Sequence, residues 1–306
     1  MPSTITHAFI GLDTIKKVNA SPKRIIQKHL NNYKIYCQSM DVLYFHHLLL
    51  LKENTVQELG HRFHNENVYN CFETIINDNR KNQDEELFTF ISGLITHYQA
   101  DKIMHPYISF LSYNKNKIKT IDKHFEIETY LDNYFTSIYE NNNYQSFKNY
   151  SFIFDGYQKC KIIEEEVNNI FKNYFKFPKM GSYYYKSIKE MHFIYKHIRY
   201  DRYGIKKVMF NLVDHNPFNI RKTKYLSYHF NVDNNEYYLN TSHQHWHNIY
   251  NKDFVSNKSF LDLYDEVTDA SSIIINEVYK YIFEKKDVDL KKLIGNFSYS
   301  TGKPLD

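Results

Sequence analysis

The stretch LFTFISGLITHYQADKIMHPY, residues 87–107, decides how this chain is read. Leu87, Phe88, Ile91, Leu94, Ile95 and Tyr98 recur at the three- and four-residue spacing of a helix, so the stretch predicts one long helix. His97, Asp101 and His105 lie on it at i, i+4 and i+8. Each step of four advances only about 40° around the axis, so the three side chains leave the helix as one stripe. Imidazole and carboxylate are ligand types of zinc, and a carboxylate between two histidines has one oxygen for each of two ions.

Downstream, the Lys- and Asn-rich run Tyr113 to Ile121 reads as a connection, and a further helix is expected over His124 to Tyr139. On it His124 and Glu128 share a face. An isolated Asp/His pair at this spacing is ordinarily a capped or solvated surface pair, and the nearby Glu126 shows that acidic residues are common here. A same-face set of three followed by a second pair on the next helix has no such ordinary explanation, and the two segments together point to a metal centre.

Helical spacing also marks Ile15 to Leu30, Thr55 to Asn77, Lys161 to Phe175, Tyr183 to Tyr200 and Ser259 to Phe283. The last opens with Ser259 and Asp262 at capping-box spacing. Asn141 to Tyr150 reads as a break, and the Tyr and Phe alternation of Lys224 to Leu239 as a strand pair or extended arm. With 8 Gly and 6 Pro in 306 residues, tight turns are scarce and long helices are favoured. The expectation is an all-α fold and a single domain over 1–306, with a metal-ligand core in 1–140 and a helical extension in 141–306.

Composition narrows the rest. A net charge of +4, with basic and acidic residues interleaved, does not demand nucleic acid, although it favours the approach of an anionic phosphodiester or headgroup. Cys37, Cys71 and Cys160 are odd in number and form no CxxC pair, so any metal is left to His and carboxylate. The opening MPSTITHAFIG has no basic segment followed by an apolar core, so a cytoplasmic location is expected. The most apolar run, Val42 to Leu51, is too short for a bilayer and contains His46 and His47. His243, His245, Trp246 and His247 read as a lid or loop packing Trp246 near the cleft, and His192 and His197 as ordinary helix residues. There is no P-loop, GxSxG or dinucleotide fingerprint.

THAFIG at 6–11, HYQADKIMHP at 97–106 and HFEIE at 124–128 resemble, in kind and order, the ligand motifs of the bacterial zinc-dependent phospholipase C family, including alpha-toxin-type catalytic domains. The resemblance covers roughly the first 140 residues. It implies an all-helical bundle, similar to the zinc-dependent single-strand nucleases, with two to three zinc ions in a cleft. Carried over, it implies His97 and bridging Asp101, and a further zinc held by His105, His124 and Glu128. His7 is implied as a ligand, as is Asp41 in SMDVLYF, which in the family is also a proposed general base and usually follows Pro; Met40 stands there instead. His61 and His64 compete for the remaining position, and a preceding bulky residue, Phe63, favours His64. Secreted family members begin with a processed Trp whose amine binds zinc; here Pro2, exposed by removal of Met1, stands five residues before His7, and two readings stay open: it supplies the corresponding amine, or it merely begins the fold and the third site is weak or empty.

The expected function is therefore hydrolysis of a phosphoric ester, with phospholipid or another phosphodiester as substrate, transient contact with a membrane surface, and no obligate protein partner. Two alternatives stay open. One is a single-strand nuclease with the same metals, marked by aromatic platforms and a basic track. The other is a non-enzymatic protein stapled by closed zinc sites.

Overall fold

The computed structural model describes residues 4–50, 54–113, 121–139, 146–214, 226–229 and 236–306. In chain order its helices are α1 (Thr4–Lys17), α2 (Ala20–Lys28), α3 (Leu30–Tyr36), α4 (Thr55–Phe63), α5 (Val68–Asn82), α6 (Glu85–Ser112), α7 (Ile121–Tyr139), α8 (Asn149–Phe154), α9 (Lys161–Phe175), α10 (Met180–Ile194), α11 (Ile205–Asp214), α12 (Glu236–Leu239), α13 (Phe260–Phe283) and α14 (Leu290–Ile294). Turns of 3₁₀ helix cover Ser39–Phe45 and Leu48–Leu50, and a π turn covers Tyr195–Arg199. An antiparallel hairpin, β1 (Trp246–Asn248) and β2 (Asn251–Ser256), precedes α13. The fold is the expected all-α bundle.

The long helix read from residues 87–107 is α6, 28 residues long. Asp84 fixes its start by accepting the Leu87 N–H at 2.8 Å. Apolar side chains surround α6 on nearly all sides, which is the signature of a helix inside a core rather than on one. Accordingly α13, α3, α1, α2 and α7 all pack on it. One contiguous apolar core runs from Ile5 through the α6 residues to Tyr299. Among the described residues no helix is long and apolar enough to cross a membrane.

Gly93 explains how α3 approaches so closely. A Cβ there would stand 2.5 Å from the Tyr36 Cβ and 2.6 Å from its carbonyl carbon, so the two helices meet backbone to backbone. Gly93→Ala is expected to destabilise the protein by about 1–3 kcal/mol, the usual range for an overpacked core. A melting temperature equal to that of the parent would contradict this contact.

Several local expectations are corrected. The segment Ile15 to Leu30 spans three helices, α1 to α3, and α1 runs from Thr4, so His7 is helical. Thr55 to Asn77 is broken after Phe63, because Asn67 adopts the left-handed conformation (φ 55°) before α5. Within Lys224 to Leu239 the described residues contain no strand: 236–239 are helical, and the hairpin comes later, at 246–256. Residues 114–120 of the expected connection and 141–145 of the expected break lie outside the described residues. The α13 capping box is present, with Ser259 and Asp262 each accepting from the other's backbone. Trp246 is buried against Tyr107 of α6, with ring centroids 5.2 Å apart, while His243, His245 and His247 are exposed.

Candidate metal centre

The stripe on α6 faces an N-terminal histidine on α1. Asp132 of α7 holds the start of α1 by accepting both the Thr6 N–H (2.8 Å) and the Thr6 hydroxyl (2.9 Å), which sets His7, the next residue, against α6. The His7 and His97 rings are 4.4 Å apart. Asp41 comes from the 3₁₀ turn after α3, and His64 is the residue that caps the C-terminus of α4.

Asp101 is the hub. Its Oδ2 stands 3.2 Å from His97 Nε2, while its Oδ1 stands 3.3 Å from His7 Nε2 and 3.6 Å from His105 Nε2. Asp41 has the same two-sided disposition, with Oδ1 3.2 Å from His64 Nε2 and Oδ2 3.5 Å from His97 Nε2. Farther along the stripe, His105, His124 and Glu128 bring one donor atom each to within 4.8 Å of one another, and His124 Nε2 lies 2.9 Å from Glu128 Oε1.

These distances bear on what the cluster is for. Two ligands on one tetrahedral zinc stand about 3.3–3.5 Å apart, given metal–ligand bonds near 2.0–2.2 Å. The contacts of Asp41 and Asp101, 3.2–3.6 Å, fall around that spacing, at or beyond the long end of the hydrogen-bond range. Consistently, Asp41 Oδ2, His64 Nε2 and His97 Nε2 are buried with no hydrogen-bond partner. Buried polar atoms are rarely left this way, and here they point at one another. A cavity of about 20 Å³ touches His7, Asp101, His105 and Glu128, enough for a water-sized occupant and too small for a headgroup.

The backbone selects the ring nitrogen that faces inward. His64 Nδ1 lies 2.8 Å from the Gly60 carbonyl, His97 Nδ1 3.0 Å from that of Cys37, and His105 Nδ1 3.2 Å from that of Tyr299. A carbonyl only accepts, so each Nδ1 carries the proton and each Nε2 presents a lone pair to the cluster. The donor set and its supports fit zinc.

Burial keeps these rings neutral. It pushes His64 down to about 3, with the neighbouring His97 adding to the effect, and lowers His97 and His105 as well. Burial and then the Asp101 charge raise Asp41 well above the usual carboxylate range. Asp101 is raised by burial alone, but the His105 and His97 imidazoles outweigh this and hold it well below that range. Without a cation the site favours one charged carboxylate of the two; a dication would favour both. Because His64 binds a proton more weakly folded than unfolded, stability is complete above pH 6.5 and falls as the pH drops from 6.5 towards 3. Protons also compete for the same lone pairs. Zinc content and melting temperature are therefore both expected to decline as the pH is lowered through this window; zinc fully retained at pH 4 would contradict it.

Some expected residues sit elsewhere. His61 is exposed and packs on Tyr44, whereas His64 is buried beside Asp41, so the geometry prefers His64. Pro2 lies outside the described residues. His192 stacks on Phe154 at 4.8 Å, away from the cluster. Two contributors were not anticipated. Tyr44 places its hydroxyl 2.8 Å from His64 Nδ1. Tyr299, in the C-terminal tail, donates its N–H to the His64 carbonyl (3.0 Å), takes the His105 Nδ1 proton at its own carbonyl, and lays its ring edgewise 4.7 Å from the His64 ring. No local motif marks either residue.

Neither a curated protein nor a solved structure matches the chain. A family model for zinc-dependent phospholipase C does match, over residues 2–180, which takes in every helix from α1 to α9 and all the clustered side chains. By that match over more than half its length, this chain belongs to the zinc-dependent phospholipase C family.

Proposed function

We propose that the protein hydrolyses a phosphodiester in the manner of a phospholipase C, with phospholipid as substrate, using two to three zinc ions. His64, Asp41, His97 and one oxygen of Asp101 would hold one ion. The other Asp101 oxygen and His7 would hold a second, and His105, His124 and Glu128 a third. The observation that carries this reading is the inward lone pairs of His64, His97 and His105, each fixed by a backbone carbonyl and facing buried carboxylates. Bound there, zinc supplies polarisation of phosphoryl oxygens and acidification of water.

The chain's own groups do the remainder. Asp101 aligns His7 and His97 by facing both. Asp41, whose burial raises its affinity for a proton, orients the attacking water and accepts its proton. Tyr299 and Phe63 close the inner side of His64 and keep bulk water from it. The substrate meets the cluster in transient contact with a lipid surface.

The test is metal analysis of untagged protein followed by assays on lecithin vesicles, a soluble nitrophenyl phosphodiester and single-stranded DNA. Release of phosphocholine that is lost on chelation and restored by zinc is expected. Cleavage of DNA without lipid turnover would transfer the site to the nuclease reading, and bound zinc with no turnover of any substrate would reduce it to a staple.

A further inference from the structure

A second group of donors lies apart from the Asp101 cluster and shares no residue with it. His46, His47 and Glu190 bring one ligand atom each to within 4.8 Å of one another. The histidines follow directly on the 3₁₀ turn that carries Asp41, and Glu190 is on α10. His46 is only 4% exposed, yet neither of its ring nitrogens has a hydrogen-bond partner. A ring with that degree of burial and two idle nitrogens is short of a partner.

The backbone around the histidines is held as if to present them. The His46 carbonyl accepts from Asn54 Nδ2 (2.9 Å) and Gln57 Nε2 (3.0 Å), which ties it to the capping box of α4. His47 is in the left-handed region, φ 51°, uncommon for a non-glycine residue. Glu190 Oε2 accepts its N–H at 2.7 Å. The other carboxylate oxygen, Oε1, stands 3.7 Å from His47 Nδ1, too far for a hydrogen bond and near the separation of two ligands on one ion.

A cation already visits the place. Lys186 Nζ lies 3.0 Å from His47 Nε2 and 3.9 Å from Glu190 Oε1. Its side chain is about half exposed, so it can leave for water at little cost. The group opens onto a cavity of about 380 Å³ lined by His47, Lys186, Glu190, Leu48 and Phe193, which leaves room for water to complete a coordination shell.

We propose that His46, His47 and Glu190 bind a zinc ion, displacing Lys186, as a clip that fastens the Asp41-bearing turn to α10. Two imidazoles and a carboxylate with an open position are a zinc-type donor set. Because both histidines follow the turn and the carboxylate comes from the helix, the ion would add a link between elements that already pack together, with the His46 ring 5.3 Å from that of Tyr183 on α10.

The test counts zinc per folded chain at buffered free-zinc concentrations, by elemental analysis and native mass spectrometry, in the parent, Glu190→Gln, His47→Asn and Lys186→Ala. Gln keeps an oxygen to accept the His47 N–H while removing the charge, and Asn tolerates the left-handed backbone. The parent should hold one ion per chain that the first two variants bind at least about 10–100-fold more weakly, as expected when support of a metal site is lost. Lys186→Ala should bind that ion more tightly. Circular dichroism and melting confirm that each variant is folded. Equal zinc content in parent, Glu190→Gln and His47→Asn at every free-zinc level overturns the proposal, even if those variants melt earlier. The readout is a difference between chains with the Asp101 cluster intact, so it stands or falls separately from the zinc content of that cluster.

Discussion

Asp101→Asn is expected to lower zinc content and phosphodiesterase activity more than His105→Ala does. The reason is the position of the two carboxylate oxygens, one facing His97 and the other facing His7 and His105. Asparagine keeps the volume but removes the charge, and it replaces one oxygen with an NH₂ that cannot ligate. One metal position loses its ligand and the other is left with a neutral amide oxygen in place of a carboxylate. His105→Ala removes one imidazole from a group in which His124 and Glu128 remain. Activity should fall by about 100-fold or more for Asp101→Asn, since even the loss of outer support for a metal ligand costs 10–100-fold. Equal losses for the two variants, with zinc content unchanged in both, would contradict the bridging role.

Removal of zinc should lower the melting temperature by on the order of 10 °C. Without zinc, Asp41, Asp101 and Glu128 would be buried in one region with no cation beside them, and Asp41 Oδ2, His64 Nε2 and His97 Nε2 have no hydrogen-bond partner. A ligand present at about a thousand times its dissociation constant contributes about 4 kcal/mol to stability. Each kcal/mol moves the melting point of a domain of this order of size by about 2–4 °C. Zinc should restore the loss and magnesium should not, because magnesium favours oxygen ligands in an octahedron and the cluster is rich in imidazole. A melting curve unaffected by chelator would show that the buried carboxylates are tolerated without a cation, and the metal reading of the cluster would fall.

Much of this was legible in the chain because it is local. The stripe of His97, Asp101 and His105 depends on spacing along one helix, and the pair His124 and Glu128 on the next. The start of α13 could be read because Ser259 and Asp262 lie three residues apart and satisfy each other's backbone. Helix type and class follow from the periodicity of α6 and from the scarcity of Gly and Pro. The order of the motifs was enough to point to the zinc-dependent phospholipase C family.

What only the tertiary structure decided depends on contacts between residues far apart in sequence. Whether His61 or His64 faces Asp41 turns on the end of α4, where the chain breaks before the left-handed Asn67. The carbonyls that orient His97 and His105 belong to Cys37 and Tyr299, 60 and 194 residues away, and no local pattern encodes such pairs. The division of residues 15–30 among three helices, and the hairpin at 246–256, likewise followed from packing overriding a periodicity that several segmentations satisfy. The sequence by itself marked the candidate metal-ligand side chains and the helices that display most of them. The fold determined which nitrogen of each ring faces inward and which tail closes the site, because a hydrogen bond across the core is fixed by where the helices pack and not by what lies next to each residue.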